Sequence, residues 1–192
     1  VAEVKIGDFD VSGLDVGRVL GALGSSDWEP GMPMGRANLA SGRISGFGGD
    51  AFTRYGISLG SISIETTHES AEVSRTRTRI EGFVLAPPLR GLEALQLRIA
   101  LQSMGLKEVK LDLDCSGLED RAKAVVAVEQ CALVGPGLGE IDFSMRLANA
   151  DSAFWQAVDE GDLDALQATS IALSSARLVV ADKSILERSL KA

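Results

Sequence analysis

The stretch from Lys107 to Asp182 decides the fold. It opens with KEVKLDLDC (107–115), passes a short polar turn into AKAVVAVEQCALV (122–134), rounds a GPGLG corner (135–139) and continues as EIDFSMRLA (140–148). A helical segment and a further apolar run, IALSSARLVVADKS (171–184), follow. In EIDFSMRL, Ile141, Phe143, Met145 and Leu147 fall on one side, with Asp142, Ser144 and Arg146 on the other. In KEVKLDLDC, Val109, Leu111, Leu113 and Cys115 oppose Lys110, Asp112 and Asp114. Successive strand side chains point to opposite faces, so this period of two describes a sheet with one dry and one wet face. Val109, Leu111, Leu113, Ile141, Phe143 and Met145 make up this dry face, which helices, another sheet or an apolar ligand must cover.

Upstream, Val4 and Ile6 and then Phe9 and Val11 change phase at Gly7, as a strand bent or bulged at the glycine does. The spacing of Val16, Val19, Leu20 and Leu23 predicts a short helix closed by Gly24. The loop SSDWEPGMPMGRAN (25–38) carries Trp28, Met32 and Met34, either tucked into the core or presented as an interaction site. In RYGISLGSISIETT, Ile57 and Leu59 give way to Ile62 and Ile64, a second phase change at Gly60-Ser61. Pro87-Pro88 stops the strand that ends near Leu85, and Leu89 to Met104 is the strongest helical stretch. Its two adjacent stripes, Leu92-Leu95-Ile99 and Leu97-Leu101-Met104, place it between layers or along an apolar groove, with Gly105 at its end. Phe154, Trp155 and Val158 at helical spacing, with Asp151 as N-cap, predict another short helix. A last helix follows Asp182.

The order of elements predicts an α+β fold, mainly antiparallel: a long curved β-sheet meander with short amphipathic helices packed on one face. At 192 residues the chain supports one β-rich domain, 1–192, with possible sub-units 1–86 and 87–192. A net charge of −8 excludes nucleic acid as a partner, because phosphate binding needs a cationic surface. No apolar run approaches the roughly 18 residues that cross a bilayer. The opening VAEVKIGDFD and the ending DKSILERSLKA read as a mature form or as a piece of a longer protein, whose flanks would hold any membrane anchor.

The motifs that carry chemistry elsewhere lack their context here. Gly56-Ile57-Ser58-Leu59-Gly60 matches a nucleophile elbow, but that motif needs a helix after the serine and a strand follows instead. His68 is the one histidine, which removes a His-based metal site. GPGLG leads into a strand and not into a helix N-terminus, so it is a corner and not a phosphate cradle. Asp112 and Asp114 are the wet side of a strand, without the further oxygen ligands a hard cation needs. No enzyme, cofactor or metal is expected. Arg75, Arg77 and Arg79 share one strand face; they could hold an anionic headgroup, or face carboxylates on a neighbouring strand. Cys115 and Cys131 are the only cysteines and permit one disulfide. With the turn centred on Leu118 to Arg121, a simple hairpin pairs Cys115 with Ala124. A bridge then needs a bulge, a longer loop or a non-neighbouring strand; two buried thiols are the other reading.

From Leu89 to the end the chain resembles the YdgA-like and AsmA-like proteins of the Gram-negative envelope. The residues that carry the likeness are Leu101 to Gly105 closing the helix, Val109 to Asp114, Glu119-Asp120 in the turn and Leu138-Gly139-Glu140-Ile141-Asp142-Phe143 after the corner. The closing LVVADKSILER, Leu178 to Arg188, is similar to the family pattern of a strand, D-x-S-L-x-x-R and a helix. In the first 85 residues GDFDVSGLDVGRVL is the nearest match. The resemblance implies a periplasmic protein, or one anchored in the inner membrane and facing the periplasm, whose curved sheet offers an apolar concave face. It implies lipid or another apolar ligand, envelope lipid transport or outer-membrane maintenance, and an envelope protein partner. The alternative is a closed-core scaffold or interaction module acting through the Trp28 loop.

Overall fold

A computed structural model describes residues 4–13 and 40–184. The expected helix of Val16 to Leu23, the Trp28, Met32 and Met34 loop and the helix after Asp182 lie outside the described residues.

Alternation of apolar and polar residues produces strands along most of the described chain. They are β1 (Asp8–Ser12), β2 (Ser41–Ser45), β3 (Ile57–Ser58), β4 (Ser61–His68), β5 (Val73–Leu85), β6 (Val109–Asp120), β7 (Val125–Gly135), β8 (Gly139–Ala148) and β9 (Ala172–Asp182). All belong to one open sheet in the order β1-β2-β4-β5-β6-β7-β8-β9, with β3 pairing β5 beside β4. The pairings are antiparallel throughout the path. Among the described residues four short helices sit where the chain passes from one strand to another: α1 (Asp50–Tyr55), α2 (Leu92–Ser103), α3 (Ser152–Glu160) and α4 (Leu163–Gln167). α1 packs against α2, and α3 against α4.

The phase changes mark real irregularities. At Gly7 the N–H bonds to the carbonyls of Ser45 and Gly46, and regular pairing starts only at Asp8. Gly60 separates β3 from β4 opposite a register shift between Ile80 and Phe83 in β5. A Cβ on Gly60 would stand 2.8 Å from the Glu81 carbonyl oxygen, and Gly82 has a φ of 69°. A side chain at position 60 would displace its neighbour, and one at 82 would be strained in a left-handed backbone conformation.

α2 is shorter than the stretch Leu89 to Met104. Gly91, with a φ of 104°, precedes the first helical residue, so Leu89 and Arg90 stay outside it. At its end the Leu106 N–H reaches the Leu101 carbonyl and the Gly105 N–H the Gln102 carbonyl, a Schellman-type closure with Gly105 left-handed. The stripe containing Ala94 and Leu101 is buried, whereas Leu92, Leu95 and Ile99 are exposed. Among the described residues the helix is therefore covered on one side only, not sandwiched between layers. α3 begins as the sequence implies: the Asp151 carboxylate accepts the Phe154 N–H at 3.0 Å. Phe154 and Trp155 pack edge to face around Ala150, with Val126, Leu166 and Ile171 against them. This cluster is the nearest thing to a conventional core. No large side chain among the described residues is completely enclosed.

Candidate functional site

Residues directly opposite in an antiparallel pair share a face, so the strand registers define what that face contains. One row runs Phe9, Ile44, Ile62, Ile80, Leu113, Leu133, Ile141, Val180, one residue from each of the eight strands of the path. A second row, one pleat away, runs Val11, Gly42, Ile64, Thr78, Cys115, Cys131, Phe143, Leu178. None of these sixteen positions is buried; Phe9 is 68% exposed, Leu178 64% and Val180 51%. A sheet that is apolar on one face ordinarily buries it under a second layer. Here the described chain leaves it half open from edge to edge.

The six apolar residues singled out from the sequence all lie on this face. Leu113 and Ile141 stand in the first row and Phe143 in the second. Met145 faces Val128 and Ala176, Leu111 faces Phe83, and Val109 faces Leu85. Sequence reasoning missed the partners from β1, β2, β4, β5, β7 and β9. Their signal was the alternation within each strand, but short segments do not reveal which strands are neighbours.

Cys115 and Cys131 are direct cross-strand partners and form a disulfide on the same face. The turn expected at Leu118 to Arg121 lies later, at Arg121 to Ala124. Asp120 closes β6 and holds that turn: its carboxylate accepts the Lys123 N–H and binds the Lys123 ammonium, both at 2.9 Å. Ala124 takes a positive φ of 52°. An extra residue in β7, between the pairs Gly117–Val128 and Ser116–Gln130, then shifts the register so that the cysteines meet.

The three arginines occupy the opposite, wet face. Arg77 makes a two-pronged contact with Asp114, its Nε bonding Oδ1 at 2.8 Å and its Nη2 bonding Oδ2. Arg79 shares Asp114 at 3.5 Å and approaches Glu65 at 3.7 Å. Arg75 binds Glu69 at 2.7 Å and also Glu129, the bulge residue of β7. Hydrogen bonds from Arg77 hold the Asp114 carboxyl below the usual carboxylate range, and bonds to carboxylates raise Arg75 and Arg77 further. Each guanidinium of the row has a carboxylate beside it. Asp112 accepts the Gly82 N–H at 2.7 Å, which ties β6 to the irregular part of β5.

Ser58, centre of the G-x-S-x-G string, ends β3, and β4 follows it; His68 is at the far end of β4, opposite Ser74. The GPGLG corner joins β7 to β8. Beside it, Leu111, Leu133, Leu138, Ile141 and Val180 surround an apolar dent of about 80 Å³ on the dry face. A larger, more polar cleft lies at the other end of the sheet, where the Arg121 guanidinium sits 4.5 Å from the centre of the Trp155 ring. Among the described residues no helix is long and apolar enough to cross a membrane. Comparison with protein-family models, with curated proteins and with solved structures finds no match to this chain.

Proposed function

We propose that this chain is a non-enzymatic domain of a Gram-negative envelope protein, and that its dry sheet face binds lipid or another apolar ligand. The observation that carries the reading is the apolar row from Phe9 to Val180, continuous through eight strands and nowhere buried. Contiguous apolar surface of this kind is costly to leave in water and marks a ligand or interaction site. With neighbouring strands about 4.8 Å apart the row extends roughly 33 Å, comparable to the ~30 Å hydrocarbon thickness of a bilayer. An extended acyl chain lies within it.

A disulfide in the same face fits an oxidising compartment such as the periplasm. In this reading the domain stands in the periplasm, free or held to the inner membrane by flanking sequence. The reading calls for a sheet that curves so that the row lines a concavity. The resemblance of the chain from Leu89 onward to the YdgA-like and AsmA-like proteins is what favours a part in envelope lipid transport or outer-membrane maintenance. The test is native mass spectrometry of gently purified protein. Adducts that organic extraction removes, and that prove to be lipid, are expected. A clean apo mass, under conditions that keep lipid on a known lipid-binding control, overturns the proposal.

A further inference from the structure

The dry face is not uniform, and one place on it is shaped. Next to the GPGLG corner, Leu133 of β7, Ile141 of β8 and Val180 of β9 stand in register, with Leu111 and Leu138 closing the dent of about 80 Å³. A space of that size takes about three groups the size of a water or methylene. It is far too small for a fused ring system. Leu138 is nearly buried and pinned from both sides: its N–H bonds the Gly135 carbonyl at 2.9 Å, and its carbonyl accepts the Lys183 N–H at 3.0 Å. The wall is therefore preformed.

Gly135 keeps the floor open. A Cβ there would lie 3.1 Å from Leu138 Cβ and 3.3 Å from Leu111 Cδ2. Glu140 and Asp182 border the dent, so an anionic headgroup placed here would meet like charge. A hydrocarbon end meets none.

Building on the lipid-binding reading, we infer that this dent receives the terminal methyl end of a linear alkyl chain, whose remainder runs along the apolar row away from β9. The dent then acts as a ruler: chains long enough to reach it gain from each added methylene, and the gain stops when it is full. The experiment is a binding series with lysophosphatidylcholines of increasing chain length, read by displacement of a fluorescent probe, on wild type and Val180→Trp. Val180 is 51% exposed on the last strand, so the larger ring covers the dent without entering a packed core. In wild type, affinity rises about fourfold per methylene up to a limit. In Val180→Trp the rise stops about three methylenes earlier, the capacity of the dent, and the shortest chains bind as before. Gly135→Ala, intruding from the floor, is the second variant and moves the limit in the same direction. Equal limits in wild type and both variants, or equal weakening of every chain length, overturn the ruler while leaving lipid binding standing. No binding of any chain by wild type overturns the lipid reading, and the ruler with it.

Discussion

At the scale of single residues, charge on this protein is arranged in matched sets. Arg75, Arg77 and Arg79 announce themselves in the sequence, because alternation alone puts them on one face. Their partners do not. Asp114 comes from the adjacent strand and Glu65 from the strand on the other side, whereas Glu129 reaches Arg75 from a bulge two strands away. The consequence is a pH dependence with a definite sign. Hydrogen bonds from Arg77 lower the Asp114 carboxyl, and bonds from Lys123 lower that of Asp120. The unfolded chain, with carboxyls near 3.9, therefore takes up protons before the folded one does as pH falls. Their contribution is complete above about pH 5, above the unfolded value, and is lost as pH drops through the lower folded values. Urea midpoints should fall between about pH 5 and pH 3, by a modest amount because the Asp114 pairs are exposed. Asp120→Asn and Asp114→Asn together should flatten that slope; an unchanged slope in the double variant refutes the assignment.

At the scale of elements, β7 determines how the sheet is assembled. Its apolar residues Val126 and Val128 give way to Cys131 and Leu133, a spacing of three where two is expected, and the bulge sits in that gap. This phase change was open to view in the sequence. Its consequence was not, because the position of the preceding turn depends on how Asp120 binds Lys123. The bulge and the later turn together bring Cys115 opposite Cys131, closing a sequence separation of 16. A loop of this length is stabilised by about 3 kcal/mol through the restriction of the unfolded chain. Reductant, or Cys115→Ala with Cys131→Ala, should lower the unfolding free energy by about that amount in urea titrations. Thiol labelling of unreduced, unfolded protein should find no free cysteine. A midpoint indifferent to reductant, or two labelled thiols, would sink the bridge.

At the scale of the whole molecule, the absence of a second layer over the described sheet sets the pattern of stability. Side chains on the apolar row are half exposed, so polar replacement there removes little buried area. Leu178→Gln and Phe9→Gln should change stability by less than about 0.5 kcal/mol, whereas Trp155→Ala, which empties the packed cluster around Ala150, should cost about 3–5 kcal/mol. Trp155 is 6% exposed, against 64% for Leu178. Urea unfolding of the three variants distinguishes an open face from a covered one. If Leu178→Gln costs as much as Trp155→Ala, the face is sealed and cannot be the binding surface.

The sequence by itself determined the local facts: antiparallel strands with a dry side, the glycines where those strands change phase, the Asp151 cap and the Gly105 helix end. These depend on neighbours within a few residues, through the two-residue period of a strand and the hydrogen-bonding needs of helix termini. Only the tertiary structure decided what those dry sides amount to together. Strand order and register are long-range choices, and a one-residue shift turns every side chain to the other face. That is why Leu113 and Ile141 were identifiable as apolar positions, whereas the row that joins them to Phe9 at one edge and Val180 at the other was not. For the same reason the dent beside Leu138 had no signature in the chain. Leu111, Leu133, Ile141 and Val180 meet there because the pairings of β6, β7, β8 and β9 bring them into one place.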